Sequence, residues 1–467
     1  MTSASFRMSH RRSPPIGVAT APRTPPQPLL SLLAVGAPLL VCAEIALVGR
    51  LFVTELVLMG ALPFLLLTRG RMLAAPLART FMLLALAWLL AQVLTDLIRG
   101  TPFDDYIRGW SKIVFTTVNF MAIYLLIYGS RQRMVLFAIG LAFGSYLTYL
   151  LNPSELALGQ PWKFGIGAAT TMLVIVVAMW RPVARIWLVP VFAIAAMGGI
   201  SLYVGSRSLA GVIIVTALYL LLQQVLARRE AMPARFSPLR SVFFLFFGLM
   251  VTSAFLNVYQ SVAEQGLLGD YAREVYERQS SGLFGILLGG RSEIFVSTQA
   301  IADSPLIGHG SWAKDPQYAA MLLELEKYGY EVNYLAADKD LIPTHSHLFG
   351  SWVEAGILGA IFWFWVLFLV LRVMSNLFLA REPLSPLVVF IGFSLLWDIV
   401  FSPFGADRRI TVPYDVVLLM FAWETLRVSV PEEALMRFRK LVPRVRRVHR
   451  VATSRHAQRP SGGDARR

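Results

Sequence analysis

The sequence predicts an all-α, polytopic membrane protein with about twelve transmembrane helices and one large periplasmic loop between helices nine and ten. Three observations carry this. Hydrophobic residues make up 56% of 467 positions, and the mean hydropathy is +0.60. Apolar runs recur at the length that spans a bilayer core, about 20 residues. The Lys and Arg residues are distributed asymmetrically between alternate connecting segments.

Residues 1–28 are rich in Arg, Ser and Pro without an apolar period, and read as a disordered basic cytoplasmic arm. Apolar runs at 29–48, 51–68, 77–97, 113–129, 134–151, 164–180, 184–203, 209–226 and 239–257 supply nine helices within 29–257. The first run is too long for a signal-peptide core and reads as a retained anchor. Segment 258–344 is a loop with twelve acidic and six basic residues. Its stretches 259–279 and 316–328 have helical spacing of apolar positions. A loop of this length with its own hydrophobic residues is usually functional. Runs 348–373, 386–402 and 412–428 complete helices ten to twelve within 345–428, and 429–467 is a basic cytoplasmic tail. A two-halves carrier has its longest loop central and inside; here it follows span nine and lies outside.

The formal net charge of +15 first suggests nucleic acid. With both termini inside, however, 29 of the 43 Lys and Arg residues fall in or beside cytoplasmic segments. The basic excess is therefore a topology signal and a tail near anionic membrane lipids, with no nucleic-acid partner. The one cysteine, Cys42, excludes an internal disulfide and a cysteine-based metal site.

The candidate chemistry centres on Thr344-His345-Ser346-His347, where the loop meets an apolar helix. With Thr344 as cap, His345, Phe349, Trp352, Gly356 and Gly359 fall within about 80° of one another around an ideal helix. The glycines admit a neighbouring backbone and so fix the rotation that aims the imidazole. His309 and His347 have no spacing that supports a shared metal. The Asp338-Lys339-Asp340 triplet reads as solvated acidic residues. Glu44, Glu55, Glu354, Asp398 and Glu424 stand in apolar runs and require partners or a cavity.

His345-Ser346, nine residues, then Gly356-Ile357-Leu358-Gly359 resembles the signature of the O-antigen ligase and O-antigen or exopolysaccharide polymerase superfamily of bacterial membrane glycosyltransferases. Gly290-Arg291-Ser292-Glu293-Ile294-Phe295 and Ser304-Pro305-Leu306-Ile307-Gly308-His309-Gly310 resemble that family's Arg and Pro-x-x-Gly-x-Gly elements. The likeness is strongest over 200–375. It implies metal-independent, inverting glycosyl transfer in the bacterial inner membrane, without a cofactor. The donor is an undecaprenyl-diphosphate-linked oligosaccharide, and the acceptor is a second glycan (polymerase) or lipid A-core (ligase). A chain-length regulator and a flippase of the same pathway are implied partners.

On this resemblance His345 takes the acceptor proton, as an imidazole can near neutral pH. Arg207 and Arg291 hold the diphosphate, for which the guanidinium fork is suited. Gly211 stands where family members often carry leucine, so the element around Arg207 departs from the pattern. Arg207 also fits a snorkelling interfacial side chain, and Arg291 a loop ion pair with Glu293. Secondary candidates are Arg108 and Lys112, expected in an outside loop, Glu354, and Arg408 and Arg409, expected in the loop between the last two spans. The alternative is a non-enzymatic lipid-linked oligosaccharide flippase or a proton-coupled carrier, which the carboxylates within the spans also fit.

Overall fold

The computed structural model describes residues 27–226, 292–328 and 338–428, apart from 48, 187, 379 and 381, together with 261, 262, 265, 266, 330, 332 and 334. The chain is a multi-pass, essentially all-α membrane protein. Seven helices among the described residues are long and apolar enough to cross a bilayer: 53–74, 76–99, 103–127, 131–151, 162–179, 207–225 and 347–377. Shorter apolar helices lie at 28–42, 189–203 and 385–401. The ninth expected span, 239–257, lies outside the described residues, as do the arm 1–26, the tail 429–467 and nearly all of 259–279.

The first expected span differs from expectation. Helix α1 (Pro28–Leu39) contains Pro38 and tightens into a 3₁₀ turn at Leu40–Cys42. The chain then forms an antiparallel hairpin, β1 (Glu44–Leu47) and β2 (Gly49–Phe52). Gly49 sits at φ 115°, a conformation open to glycine. Glu44 is consequently in a hairpin, 2.7 Å from Arg50, rather than in a span. The hairpin leads into α2 (Val53–Arg69), which packs on α4.

Helix α3 (Pro76–Arg99) is followed by α4 (Phe103–Ile127). Helix α4 begins ten residues earlier than the apolar run predicts, because Asp104 and Asp105 occupy its first turn, where the helix dipole favours anions. Arg108 and Lys112, expected in a loop, are therefore one helical turn apart on α4. Next come α5 (Arg131–Leu151), a short α6 (Glu155–Gly159), α7 (Gly167–Met179), α8 (Arg181–Ala184), α9 (Val189–Tyr203) and α10 (Arg207–Leu226). The described part of the expected long loop contains α11 (Glu293–Asp303) and α12 (Pro316–Glu324); α12, with the 3₁₀ turn after it, covers the helix expected at 316–328. The chain closes with α13 (His347–Leu377), α14 (Ser385–Phe401) and α15 (Arg408–Val428). Arg408 and Arg409 open α15 instead of lying in a loop.

Helices α3, α4, α13, α14 and α15 form the centre of the bundle. Their seam is aromatic: Phe81 stacks on Phe120 at 3.8 Å, and Trp88 meets Phe362 at 5.1 Å and Trp363 at 6.0 Å. A second, smaller core joins α11 and α12 to the start of α13 through Val296, Ala300, Tyr318, Leu322, Ile342 and Val353.

Side-chain bonds fix which helix ends lie together. Tyr219 and Gln223 of α10 donate to the carbonyls of Met374 and Leu377, both at 2.6 Å. Helices α10 and α13 therefore run in the same direction, and Arg207 starts one at the same end of the bundle where His347 starts the other. Arg69 reaches Leu126 and Tyr128, and Arg131 pairs with Glu382 at 2.8 Å, all at the opposite end.

Candidate functional site

The long helix α13 starts two residues later than expected. Ser346, not Thr344, is its N-cap; its hydroxyl accepts from Phe349 N at 3.0 Å and donates to the Ile399 carbonyl at 2.7 Å. His345 therefore precedes the helix, and its direction is not set by helical periodicity. The helix is also broken. Gly356 stands at φ 64°, ψ −157° inside it, so a single 100° spiral does not connect His345 with Gly356 and Gly359.

That break has a partner. The Pro305–Gly310 segment docks into it. His309 N donates to the Val353 carbonyl at 2.7 Å and Gly310 N to the Glu354 carbonyl at 3.1 Å. These contacts supply donors to carbonyls beside the interruption, where intrahelical partners are lost. The approach is backbone against backbone: a Cβ on Gly308 (φ 88°) would sit 2.7 Å from Gly356 N and 2.8 Å from the Val353 carbonyl oxygen, and a Cβ on Gly356 would overlap the Leu306 carbonyl. Two glycines 48 positions apart are thus required by one contact.

Helix α3 holds the same segment from its other side. Thr95 donates to the Ile307 carbonyl at 2.6 Å, and Arg99 to the Gly308 carbonyl at 2.8 and 3.0 Å. Buried Asp96 accepts from Ser311 N at 2.6 Å, from the Ser311 hydroxyl at 2.7 Å and from Trp110 Nε1 at 2.8 Å. Gln92 Nε2 donates to the same carboxylate at 3.5 Å.

With its segment clasped, α11 lies on the first part of α13. Its first residue, Glu293, comes to 3.8 Å from His345 Nδ1. The carboxylate is nearly buried, with 10% of its side chain exposed, and the imidazole is 30% exposed. Tyr318 of α12 donates to Asp303 at 2.6 Å and pins the far end of α11. Burial, with the Asp303 bond second, holds the Tyr318 phenol well above its ordinary range.

The other candidate residues distribute as follows. Lys112 and Glu354 form a direct ion pair between α4 and α13. Arg108 lies over the Trp312 ring at 5.7 Å. Arg408 grips Asp398 with two nitrogens at 2.6 and 3.2 Å. Arg409 is buried against fully buried Glu55 at 2.8 Å, with Asn119 donating to its carbonyl at 2.9 Å. Arg207 opens α10, and two residues before it Gly205 lines a hollow of about 690 Å³ shared with Glu155, Gln160, Trp162 and Lys163. His345 does not line that hollow. Arg291 lies outside the described residues.

The two other histidines among the described residues bond to backbone. His309 Nε2 meets the Ala300 carbonyl at 2.8 Å, and His347 Nδ1 meets the Ser402 carbonyl at 2.7 Å, its ring packed between Trp363 and Phe404. Among the described residues no three His, Cys, Asp or Glu side chains gather as a metal site.

Sequence reasoning missed Glu293 as a neighbour of His345, having considered it only as an alternative ion-pair partner of Arg291. It also missed Asp96, although a carboxylate near the end of an apolar run is the signal that marked Glu354 and Asp398. No family model matches the chain, and no curated protein or solved structure matches it either.

Proposed function

We propose that this chain is a membrane glycosyltransferase that moves a glycan from an undecaprenyl-diphosphate carrier to an acceptor hydroxyl, as polysaccharide polymerase or as ligase to lipid A-core. The observation that supports this reading best is the docking of the Pro305–Gly310 segment into the break at Gly356. The two stretches that resemble the glycosyltransferase superfamily are remote in sequence, and they form one contact that leaves His345 partly exposed beside Glu293.

In the proposed reaction His345 takes the acceptor proton as the new oxygen–carbon bond forms. The carbon–oxygen bond to the diphosphate breaks from the opposite side, and the diphosphate departs with the electron pair, so the anomeric centre inverts. Arg207, at the same end of the bundle, and Arg291 offset the charge that develops there. The hollow beside Gly205 offers room for a bulky head group near Arg207. In this reading the site faces the periplasm, the opposite end with Arg69, Arg131 and Arg133 faces the cytoplasm, and about twelve spans place both termini inside.

Reconstitution of the purified protein with undecaprenyl-diphosphate oligosaccharide, with and without lipid A-core, tests the proposal by gel analysis of products. Chain growth without core identifies a polymerase, and a core-linked product a ligase. Neither product, with carrier-linked glycan crossing the vesicle, identifies a flippase and ends the proposal. His345→Ala is expected to lower transfer by about 10²- to 10⁴-fold while the protein remains folded. Arg207→Lys is expected to lower it as well, because an ammonium cannot replace the guanidinium fork.

A further inference from the structure

We infer that Glu293 is the positioning residue for His345, the side chain that fixes which imidazole nitrogen receives the acceptor proton. This rests on the proposed role of His345. Helix α11 is anchored at its buried face and at the segment that leaves it. Its buried face, Val296 and Ala300, packs with Val353, Ile342, Tyr318 and Leu322. The segment leaving it is bonded to α13 at Val353 and Glu354 and to α3 at Thr95 and Arg99. The N-terminus of α11 is therefore carried on a rigid support, and Glu293 is its first residue.

His345 is not carried on a helix. It precedes the Ser346 cap and lies in no helix or strand. An imidazole on a connecting segment needs a partner to set its orientation and tautomer. Glu293 Oε1, 3.8 Å from Nδ1, is a charged group in position to do so. A carboxylate facing Nδ1 favours a proton on that nitrogen and leaves the lone pair on Nε2. It also stabilises the imidazolium formed when Nε2 accepts a proton, which is the logic of carboxylate–histidine pairs in acyl transfer. The contact at 3.8 Å is longer than a hydrogen bond, so the pair closes when acceptor binds or when the ring is protonated.

The test uses the full-length protein in the transfer assay, comparing Glu293→Gln and Glu293→Asp. Glu293→Gln keeps a hydrogen-bond acceptor and removes the charge. Its kcat is expected to fall by about 10- to 100-fold with KM within about twofold. The acid limb of kcat/KM is expected to move to lower pH, since an imidazole without the adjacent anion stays neutral further into acid. Glu293→Asp is expected to restore part of kcat and return the limb towards its original position. Unchanged kcat and pH profile, a loss confined to KM, or a uniform loss with the limb unmoved and no recovery in the Asp variant overturns the inference. His345→Ala separates the two levels. An active Ala variant ends the proposed role of His345 itself, whereas an inactive one with an indifferent Glu293→Gln ends only the role of Glu293.

Discussion

Gly356 makes two demands on one residue. Its φ of 64° lies in the region where a side chain costs energy, and the Leu306 carbonyl occupies the space a Cβ would need. Gly356→Ala is therefore expected to lose at least about 1–3 kcal/mol from the backbone alone, and to loosen α11 and Glu293 with it. Thermal unfolding in detergent, paired with the transfer assay, checks this; full stability and full activity would show that the clasp does not hold the site. Gly359 stands apart from that contact: its Cβ position faces the Ser351 carbonyl within the same helix. The sequence spacing correctly singled out Gly356 as a place of close approach by another segment's backbone; at Gly359 the approach comes from its own helix. The spacing assigned both the wrong role, a helix rotation shared with His345, because helical periodicity assumes an unbroken helix and a positive φ at glycine leaves no mark on composition. His345 was legible from its place where the loop meets an apolar run. Its carboxylate neighbour was not, because 52 residues separate the two and only the clasped loop brings them together.

At the scale of elements, ion pairs between helices do what small-residue packing does elsewhere. Lys112–Glu354 ties α4 to α13, Arg408–Asp398 ties α15 to α14, and Arg409–Glu55 ties α15 to α2. Of the carboxylates that read as possible proton carriers in apolar runs, Glu55, Glu354 and Asp398 are each matched to a cation from a neighbouring helix; Glu44 moves to the hairpin and pairs with Arg50, and Glu424 bonds to Tyr128. A buried pair is costly to halve and cheap to replace whole. Arg409→Met alone is expected to destabilise by about 3–5 kcal/mol, with much of the loss recovered on adding Glu55→Leu. Denaturant or thermal unfolding of the two variants measures it; equal losses would show that Arg409 acts through Phe115 and the Arg50 carbonyl instead. Element existence was readable from apolar runs for α2, α3, α5, α10, α13 and α14. Element ends were not. Helix α4 extends through charged residues because acidic side chains suit its first turn, and α1 stops early because its apolar run continues into a hairpin that composition cannot distinguish from helix.

For the molecule as a whole, the two ends of the bundle differ in chemistry. One gathers the clasp, His345 and the start of α10. The other gathers arginines that bond to helix carbonyls or to Glu382. Burial raises the pKa of the Glu382 carboxyl, and the Arg131 guanidinium offsets this only in part. The sign follows: between the carboxyl's unfolded and folded titration ranges the folded state binds more protons, so stability falls as pH rises through that window. Glu382→Gln is accordingly expected to flatten the decline in melting temperature from acid towards neutral pH without lowering stability at neutral pH. A lower melting temperature for the Gln variant at neutral pH would show that Arg131 outweighs burial.

The docking of one segment into another helix's interruption also governs how such chains can be recombined. Residues 304–311 and 353–356 make sense only together, since each supplies the shape and hydrogen bonds that the other lacks. A hybrid that imports the loop of a second protein while keeping this helix, or the reverse, is expected to lose its fold at the seam. One that transplants both pieces as a matched set is expected to retain it, so the two pieces must be exchanged as a pair.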